Sequence, residues 1–266
     1  MKSHSFSSLT PSADVEPIRV ALKESATRFD KIHACGNDFI LIQDSFDHQN
    51  VSRWCHRQLG IGADGVMAVS HCAESNVGLL HYDADGSRTF CLNGTRSALW
   101  ALYQQGLIDK SGTVSSEGVT ASFHVDEWVV LVMSNPPTTR MQLSLDHVTF
   151  DGFFVEPGNP QFVLIDPPES WCAHAKDLRH HRDFHKGANV TYVFSTPMGY
   201  RIRTFERGVE GFTLACGTGA LAAAAAMNAR SARFVPDGGD WIEVARDGAY
   251  AKVTGPTHWV ATGWLS

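Results

Sequence analysis

Two cysteines, Cys91 and Cys216, each stand where an apolar approach gives way to a Gly/Thr turn and then an Ala/Leu-rich run. Leu214-Ala215-Cys216-Gly217-Thr218-Gly219-Ala220 leads into Leu221 and five consecutive alanines. Alanine is the strongest helix former, so a helix is expected to begin close to Gly217, with Cys216 on its N-terminal edge. The free N–H groups of Gly217, Thr218 and Gly219 then point out of that end and favour an anion. The same end lowers the pKa of a thiol placed on it, which moves Cys216 toward the thiolate. Read alone, the stretch is equally a tight strand-to-helix turn with Cys216 as a small buried residue.

The chain contains the arrangement twice. Phe90-Cys91-Leu92-Asn93-Gly94-Thr95-Arg96-Ser97-Ala98-Leu99 has the same order of parts. A second pair of stretches also repeats: Cys35-Gly36-Asn37-Asp38-Phe39-Ile40 matches Pro157-Gly158-Asn159-Pro160-Gln161-Phe162. The Gly-Asn elements lie 122 residues apart and the cysteines 125, so the two matches share nearly one offset. Two similarly built halves would each contribute one Gly-Asn turn and one helix-capping thiol, facing each other across a cleft. Such a pair suits removal of a proton from one face of a carbon and delivery to the other, which is racemisation or epimerisation. Two helix N-termini aimed at an α-carboxylate would stabilise the carbanion. No pyridoxal phosphate is then required, and the sequence offers no phosphate cradle to hold it.

The elements around these residues follow from composition and punctuation. The 266 residues are 43% apolar and 19% charged, with a net charge of −6, which describes a soluble globular protein. No basic stripe points to nucleic acid or a membrane surface, and no apolar run is long enough to span a bilayer. Residues 1–27 are polar and Ser-rich and read as an extension without the apolar core of a signal peptide. Six scattered cysteines (35, 55, 72, 91, 172 and 216) argue against a disulfide framework and for a cytoplasmic protein. Core packing is the default for Cys35, Cys55, Cys72 and Cys172. Gly60-Ile61-Gly62-Ala63-Asp64-Gly65 fits G-x-G-x-x-G as a string, but a helix precedes it and a strand follows, the reverse of a dinucleotide site.

Strands are expected at 28–33, 39–43, 66–69, 77–82, 113–116, 120–125 and 128–133, with a short helix over 50–59 and the Cys91 helix closing at Gly106. Ser134-Asn135-Pro136-Pro137 marks the boundary between halves. The second half is expected to hold strands at 148–155, 190–195, 201–205, 241–244 and 250–253, a helix within 170–185, and the Cys216 helix. A last strand at 259–262 returns to the first half. His180, His181 and His185 read as a solvated helix face rather than a metal site.

Over residues 28–266 the sequence resembles the diaminopimelate epimerase family. Its matching stretches include Lys31 through Phe39, Gly60 through Gly65, Asp83-Ala84-Asp85-Gly86-Ser87 and Cys91-Leu92-Asn93-Gly94-Thr95-Arg96. Gly158-Asn159-Pro160, Ala188-Asn189-Val190, Glu206-Arg207-Gly208 and Ala215 through Ala220 complete the set. The resemblance implies an α/β (α+β) fold of two pseudo-symmetric domains, each a mixed or antiparallel sheet wrapped around a central helix, with the active site in the cleft between them. The expected division is 28–134 plus 257–266 and 135–256. It implies epimerisation of L,L- to meso-diaminopimelate, for lysine and peptidoglycan synthesis, without a cofactor or metal. Cys91 and Cys216 match the acid/base thiols, and Glu206 a residue that assists proton handling. Leu92, Asn93, Gly94, Gly217 and Thr218 line the helix starts for the α-carboxylate. Asn37, Asp83, Asn159, Asn189 and Arg207 match substrate-binding positions, with Arg207 suited to a distal carboxylate.

Four positions depart from the family pattern. Leu92 stands for a glycine, Gln161 for a histidine, Asp83 for an asparagine and Phe212 for a glutamate. They bear on the substrate's side chain, so a related pyridoxal-independent racemase of glutamate, ornithine or histidine is the alternative. An inactive paralogue that only binds an amino acid is a third reading, which would need neither cysteine. A small amino acid is the expected partner, and a second copy of the chain is the one macromolecular partner left open.

Overall fold

The computed structural model describes residues 26–265, so the N-terminal extension lies almost wholly outside the described residues. Seventeen strands and four short α-helices make up the described chain. The first half contains β1 (Thr27–Ala34), β2 (Asn37–Ile42), α1 (Val51–Cys55), β3 (Gly65–Ala73), β4 (Asn76–Asp83), α2 (Leu92–Gln104), β5 (Ser111–Ser116), β6 (Val119–Val125) and β7 (Val129–Ser134). The second contains β8 (Thr138–Leu145), β9 (Val148–Val155), β10 (Gln161–Ile165), α3 (Ala175–Arg179), β11 (Asn189–Thr196), β12 (Gly199–Glu206), β13 (Gly211–Thr213), α4 (Gly217–Ala226), β14 (Ser231–Pro236), β15 (Ile242–Asp247) and β16 (Tyr250–Thr254). The last strand, β17 (His258–Leu265), returns to pair antiparallel with β1.

The internal repeat is visible in the pairing pattern. From β1 through β7 the neighbours run antiparallel, parallel, antiparallel, parallel, antiparallel, antiparallel. From β9 through β16, with β13 set aside, they run in the same order. Each second parallel step needs a crossover, and α2 and α4 are those crossovers. The halves join edge to edge where β7 pairs with β16. Each half-sheet curls round its own helix. Helix α2 packs on β1, β2, β3 and β7, and α4 on β9, β10, β11 and β14–β16.

The two helices end alike as well as begin alike. Gly106 closes α2 with φ +71, Leu107 N–H donates to Leu102 O at 3.0 Å, and Gly106 N–H donates to Tyr103 O at 2.9 Å. In α4 Asn228 takes the same left-handed place (φ +49), with Ala229 N–H to Ala224 O and Asn228 N–H to Ala225 O, both 3.0 Å. Both are Schellman ends, and Asn is the residue that best replaces Gly there. Every residue of α4 is buried, which explains its alanines: a helix enclosed on all sides by sheet has room for little more than a methyl group.

Several expectations need correction. Strands β8, β10, β13 and β14 go beyond the expected set. Strand β8 is polar because it is an edge strand paired on one side only, to β9. Strand β14 carries the alternation that marks a half-buried strand: Ala232, Phe234 and Pro236 face inward and Ser231, Arg233 and Val235 outward. The helix expected over 50–59 shrinks to α1 and a preceding 3-10 turn at His48–Asn50. The one expected within 170–185 shrinks to a 3-10 turn at Glu169–His174 and α3. His180, His181 and His185 follow α3 and share no helix face; His181 is buried, with Nε2 3.3 Å from Ser144 O. Cys72 is exposed and Cys172 half-buried, so core packing holds only for Cys35 and Cys55 among the four. Among the described residues no helix is long and apolar enough to cross a membrane.

The enclosed helix makes a direct prediction. Replacing the fully buried Ala222 with leucine overfills the space round α4 and should cost ~1–3 kcal/mol of stability. Urea unfolding followed by circular dichroism should show a lower midpoint at unchanged slope. Native stability in Ala222→Leu would mean that α4 is loosely held.

Candidate active site

Cys91 and Cys216 are the N-caps of α2 and α4, with nearly the same backbone angles: φ −128, ψ 108 and φ −129, ψ 108. Each sulfur accepts from the N–H three residues on, Gly94 N and Gly219 N, both at 3.4 Å. The carbonyls of the same residues start the helices, accepting from Thr95 N at 2.9 Å and Ala220 N at 3.0 Å. A cap normally uses a side-chain oxygen; here a thiol holds that place twice.

The two helix starts meet. Asn93 Nδ2 donates to Ala215 O at 3.2 Å, the carbonyl just before Cys216. A Cβ on Gly217 would lie 2.6 Å from Asn93 Oδ1 and 2.8 Å from Leu92 Cδ2, so only glycine admits this approach. Leu92 is buried and its side chain fills the seam between the helix ends. The Gly-Asn turn of the second half reaches across as well: Asn159 Nδ2 donates to Phe90 O at 2.7 Å, next to Cys91. The first-half turn places Asn37 Oδ1 4.0 Å from Cys91 Sγ.

Cys216 has a different set of partners. Thr218 Oγ1 lies 3.4 Å from its sulfur and Gln161 Nε2 3.8 Å. Gln161 also donates to Thr218 Oγ1 at 3.0 Å and accepts from Thr191 Oγ1 at 2.9 Å, so the buried amide is satisfied at both ends. Glu206, at the end of β12, accepts from Thr213 Oγ1 and is hydrogen-bonded to the Cys216 thiol. Burial pushes its carboxyl up to about 7, assisted by the Asp64 and Asp83 carboxylates and opposed by those two hydrogen bonds.

The expectation that the helix ends acidify the thiols is reversed. Burial holds Cys91 well above the ordinary thiol range, and Glu206 and Asp83 add to it; the Gly94 and Asn93 N–H groups pull the other way and lose. Cys216 is raised by burial first and by the Glu206 carboxylate second, against donation from Thr218 and Gly219. Both are therefore thiols in the free protein at neutral pH, and a thiolate forms only if a neighbour takes the proton.

Asp83, Asn189 and Arg207 meet around the turn that follows β12. Asp83 Oδ2 accepts from Thr89 Oγ1 at 2.8 Å and from Ser87 Oγ at 3.4 Å. A Cβ on Gly208 would lie 3.7 Å from Asp83 Oδ2, so Asp83 faces the backbone that follows Arg207. It does not pair with the Arg207 guanidinium, which reaches Lys186 O at 3.4 Å instead. Asn189 Oδ1 accepts from Arg207 N at 2.8 Å and so fixes the start of that turn. Phe212 packs edge-on against Phe205, 5.5 Å between ring centres, with the Arg203 guanidinium over its other side.

Three residues in contact with this cluster were not singled out in the sequence for it. Asp64 accepts from Asn37 Nδ2 at 2.7 Å. Arg96 is fully buried and donates to Asn93 Oδ1 at 3.1 Å. Thr213 holds Glu206. The signal for Arg96 was available: a cation one turn into an otherwise Ala/Leu-rich helix needs a reason. Asp64 lies in the Gly60–Gly65 string, whose spacing of glycines is its visible signal. Among the described residues no group of three or more His, Cys, Asp or Glu is arranged to hold a metal.

Glu206 gives a pH-dependent prediction. Its folded-state pKa, about 7, lies above the ordinary 4.5, so between those values the folded protein binds more protons than the unfolded chain. Its contribution to stability is therefore whole below about 4.5, lost as pH rises through about 7, and flat beyond. Urea unfolding from pH 4.5 to 8 should show a negative slope in the native protein that Glu206→Gln reduces. An equal slope in the two proteins would mean that Glu206 is not held in this environment.

The model of the diaminopimelate epimerase family matches residues 153–249. A diaminopimelate epimerase from a Hydrogenobaculum species is 31% identical over 89% of this chain and 97% of its own length. Another from Methanothrix thermoacetophila is 32% identical over 85% of this chain and 88% of its own. Among solved structures, a phenazine biosynthesis protein of the PhzF family from Enterococcus faecalis superposes with TM-score 0.69 over 91% of this chain and 99% of that one, at 12% identity. A hydroxyproline epimerase from Agrobacterium vitis, solved with trans-4-hydroxy-L-proline bound, superposes with TM-score 0.66 over 91% and 93%, also at 12% identity. These two likenesses show a shared fold, whereas the sequence relatives show kinship: the chain is an isomerase and belongs to the diaminopimelate epimerase family.

Proposed function

We propose that this protein interconverts L,L- and meso-diaminopimelate by a two-base mechanism in which Cys91 and Cys216 are the acid/base pair and no cofactor takes part. The observation that carries this reading is the doubled cap: two thiols in the same conformation on two helix starts that meet. Binding alone needs no such pair. The α-carboxylate lies at the joined helix starts, facing the N–H groups of Leu92, Asn93, Gly94, Gly217 and Thr218, where fixed dipoles also stabilise charge as the α-proton leaves. One cysteine, as thiolate, takes that proton from one face while the other, as thiol, gives its own to the opposite face. Glu206, bonded to Cys216 and ionised above about 7, receives the proton that makes the thiolate. Asn37, Asp83, Asn159, Asn189 and Arg207 frame the rest of the substrate, Arg207 taking the distal carboxylate.

One observation favours a second reading. Asp83 only accepts hydrogen bonds, unlike an amide, and it faces the Arg207-Gly208 turn. A basic side chain such as ornithine's would suit it better than a carboxylate.

The deciding assay incubates purified protein with single-enantiomer amino acids in D2O, without pyridoxal phosphate or metal, and reads α-deuterium by mass. Diaminopimelate should exchange. Cys91→Ala and Cys216→Ala should each lower turnover by about 10²–10⁴-fold, the range for loss of an acid/base group. Cys55→Ala and Cys172→Ala should retain most activity. Near-normal turnover in Cys91→Ala would overturn the two-thiol scheme.

Asp83→Asn should raise kcat/KM for diaminopimelate relative to ornithine by ~1–2 kcal/mol, one recovered charge-assisted hydrogen bond. Steady-state kinetics of both proteins on both substrates checks this. An unchanged ratio would leave Leu92, Gln161 and Phe212 as the positions that set the side chain.

A further inference from the structure

The amides beside Cys91 form a chain of hydrogen bonds whose direction is forced from both ends. At one end Arg96, a donor only, gives Nη2 to Asn93 Oδ1 at 3.1 Å and Nη1 to Gly255 O at 2.6 Å. That turns Asn93 Nδ2 toward two acceptors, Ala215 O at 3.2 Å and Asn37 Oδ1 at 3.3 Å. At the other end Asn37 Nδ2 donates to Asp64 Oδ2 at 2.7 Å. Asp64 is held in turn by Arg57 Nη2 at 2.6 Å and Asp38 N at 3.3 Å. Neither amide can be reversed without setting donor against donor or acceptor against acceptor. The free lone pair of Asn37 Oδ1 consequently faces Cys91 Sγ at 4.0 Å. Cys216 meets the opposite chemistry: the Gln161 amide shows it an N–H, and Thr218 a hydroxyl.

We propose that Asp64 and Arg96 are positioning residues, the two poles of a directional hydrogen-bond chain that keeps the Asn37 carbonyl oxygen on Cys91 and so holds the proton on that thiol. The proposal rests on the reading of Cys91 as an acid/base group. It makes the pair unequal before substrate arrives, with Cys91 held as the donor. The buried guanidinium of Arg96, which pairs with no carboxylate among the described residues, is compensated through two amides by a carboxylate in the loop just before β3. Removing Asp64 leaves the Asn37 amide tied only by its longer 3.3 Å contact with Asn93, and removing Arg96 frees the Asn93 amide.

The test reads the thiol directly and needs no turnover. Native protein and variants are treated with iodoacetamide from pH 6 to 10, and the alkylation rates of Cys91 and Cys216 are followed separately by peptide mass spectrometry. Asp64→Leu keeps the side-chain shape but leaves Asn37 Nδ2 without an acceptor. Cys91 should then react about three- to tenfold faster at a given pH, the worth of one lost S–H acceptor and a freed amide donor, with Cys216 unchanged. Asp64→Asn, whose amide oxygen can still accept from Asn37 and Asp38, should stay near the native profile. This arm separates orientation from charge. Asn37→Ala should reproduce the Asp64→Leu shift, and the double variant should add nothing further. It also serves if Asp64→Leu does not fold. The other groups facing Cys91 are Glu206, Asp83 and the N–H groups of Asn93 and Gly94, none of them substituted; the Asp64 charge that helps raise Glu206 is lost alike in Asp64→Leu and Asp64→Asn, so the difference between those two variants reports the amide. A Cys91 rate that does not move in Asp64→Leu or in Asn37→Ala would overturn the proposal. An equal shift at Cys216, or an equal shift in Asp64→Asn, would overturn it too. A shifted profile in a protein that exchanges no α-deuterium would leave the chain standing and remove the epimerase reading instead.

Discussion

The architecture depends on one contact, the meeting of two helix N-termini at Gly217, Leu92 and Asn93. Two positive helix ends brought together repel unless an anion lies between them. The fold imposes the meeting anyway. Each helix is held by its own half-sheet, the half-sheets are joined through β7 and β16, and Asn93 ties α2 to the carbonyl before Cys216. What remains at the seam is a set of inward N–H groups and two sulfur caps, a place prepared for negative charge. A substrate carboxylate bound there relieves the repulsion that the fold has built in. The binding preference for an anion thus comes from the frame as well as from any charged side chain.

The same seam decides the state of the thiols. A helix end lowers a thiol's pKa and burial raises it, and at both cysteines burial prevails. Sulfur is a weak acceptor, and one N–H at 3.4 Å does not offset removal from water. Glu206 gives this balance its chemical sense. A carboxyl that ionises at about 7 beside a reluctant thiol can exchange a proton with it at neutral pH. In a family pattern with histidine at the Gln161 position, a second titratable group would share that work. Here Gln161 supplies a neutral donor, and in the proposed mechanism the proton traffic falls to Glu206.

The repeat was legible in the sequence because it is written in residues that nothing else explains. Glycines before asparagines and cysteines before Gly/Thr turns recur at nearly one offset, 122 and 125 residues, and the structure repeats the strand order, the caps and the helix ends accordingly. What the sequence hid was whatever had lost its pattern to context. Strand β8 is polar because it pairs on one side only, and the helices expected over 50–59 and 170–185 are cut short by turns. The first ends at Cys55, and the turn after it needs glycine at 60 because a Cβ there would lie 2.2 Å from Arg53 O. The residues that hold the site residues were harder still. Asp64 and Arg96 lie within matching stretches, but nothing in those stretches names their role, which lies in a hydrogen-bond partner 27 residues away for one and three for the other.

A duplicated frame also explains why the differences between the halves matter most. An acid/base pair working on two faces of one carbon needs two equal helix starts, and the caps at Cys91 and Cys216 are equal to within a degree. A substrate with a side chain is not symmetric, so something must break the equivalence. The break occurs one layer out. Asn37 turns an oxygen to one sulfur and Gln161 a nitrogen to the other. Asp83 and the Arg207 turn occupy one flank, and Leu92, which has no apolar counterpart at Gly217, fills the seam from one side alone. Under the proposed mechanism the inner layer is constrained by the reaction and the next by the substrate. That is why the positions that depart from the family pattern, Asp83, Leu92, Gln161 and Phe212, all lie outside the two caps themselves.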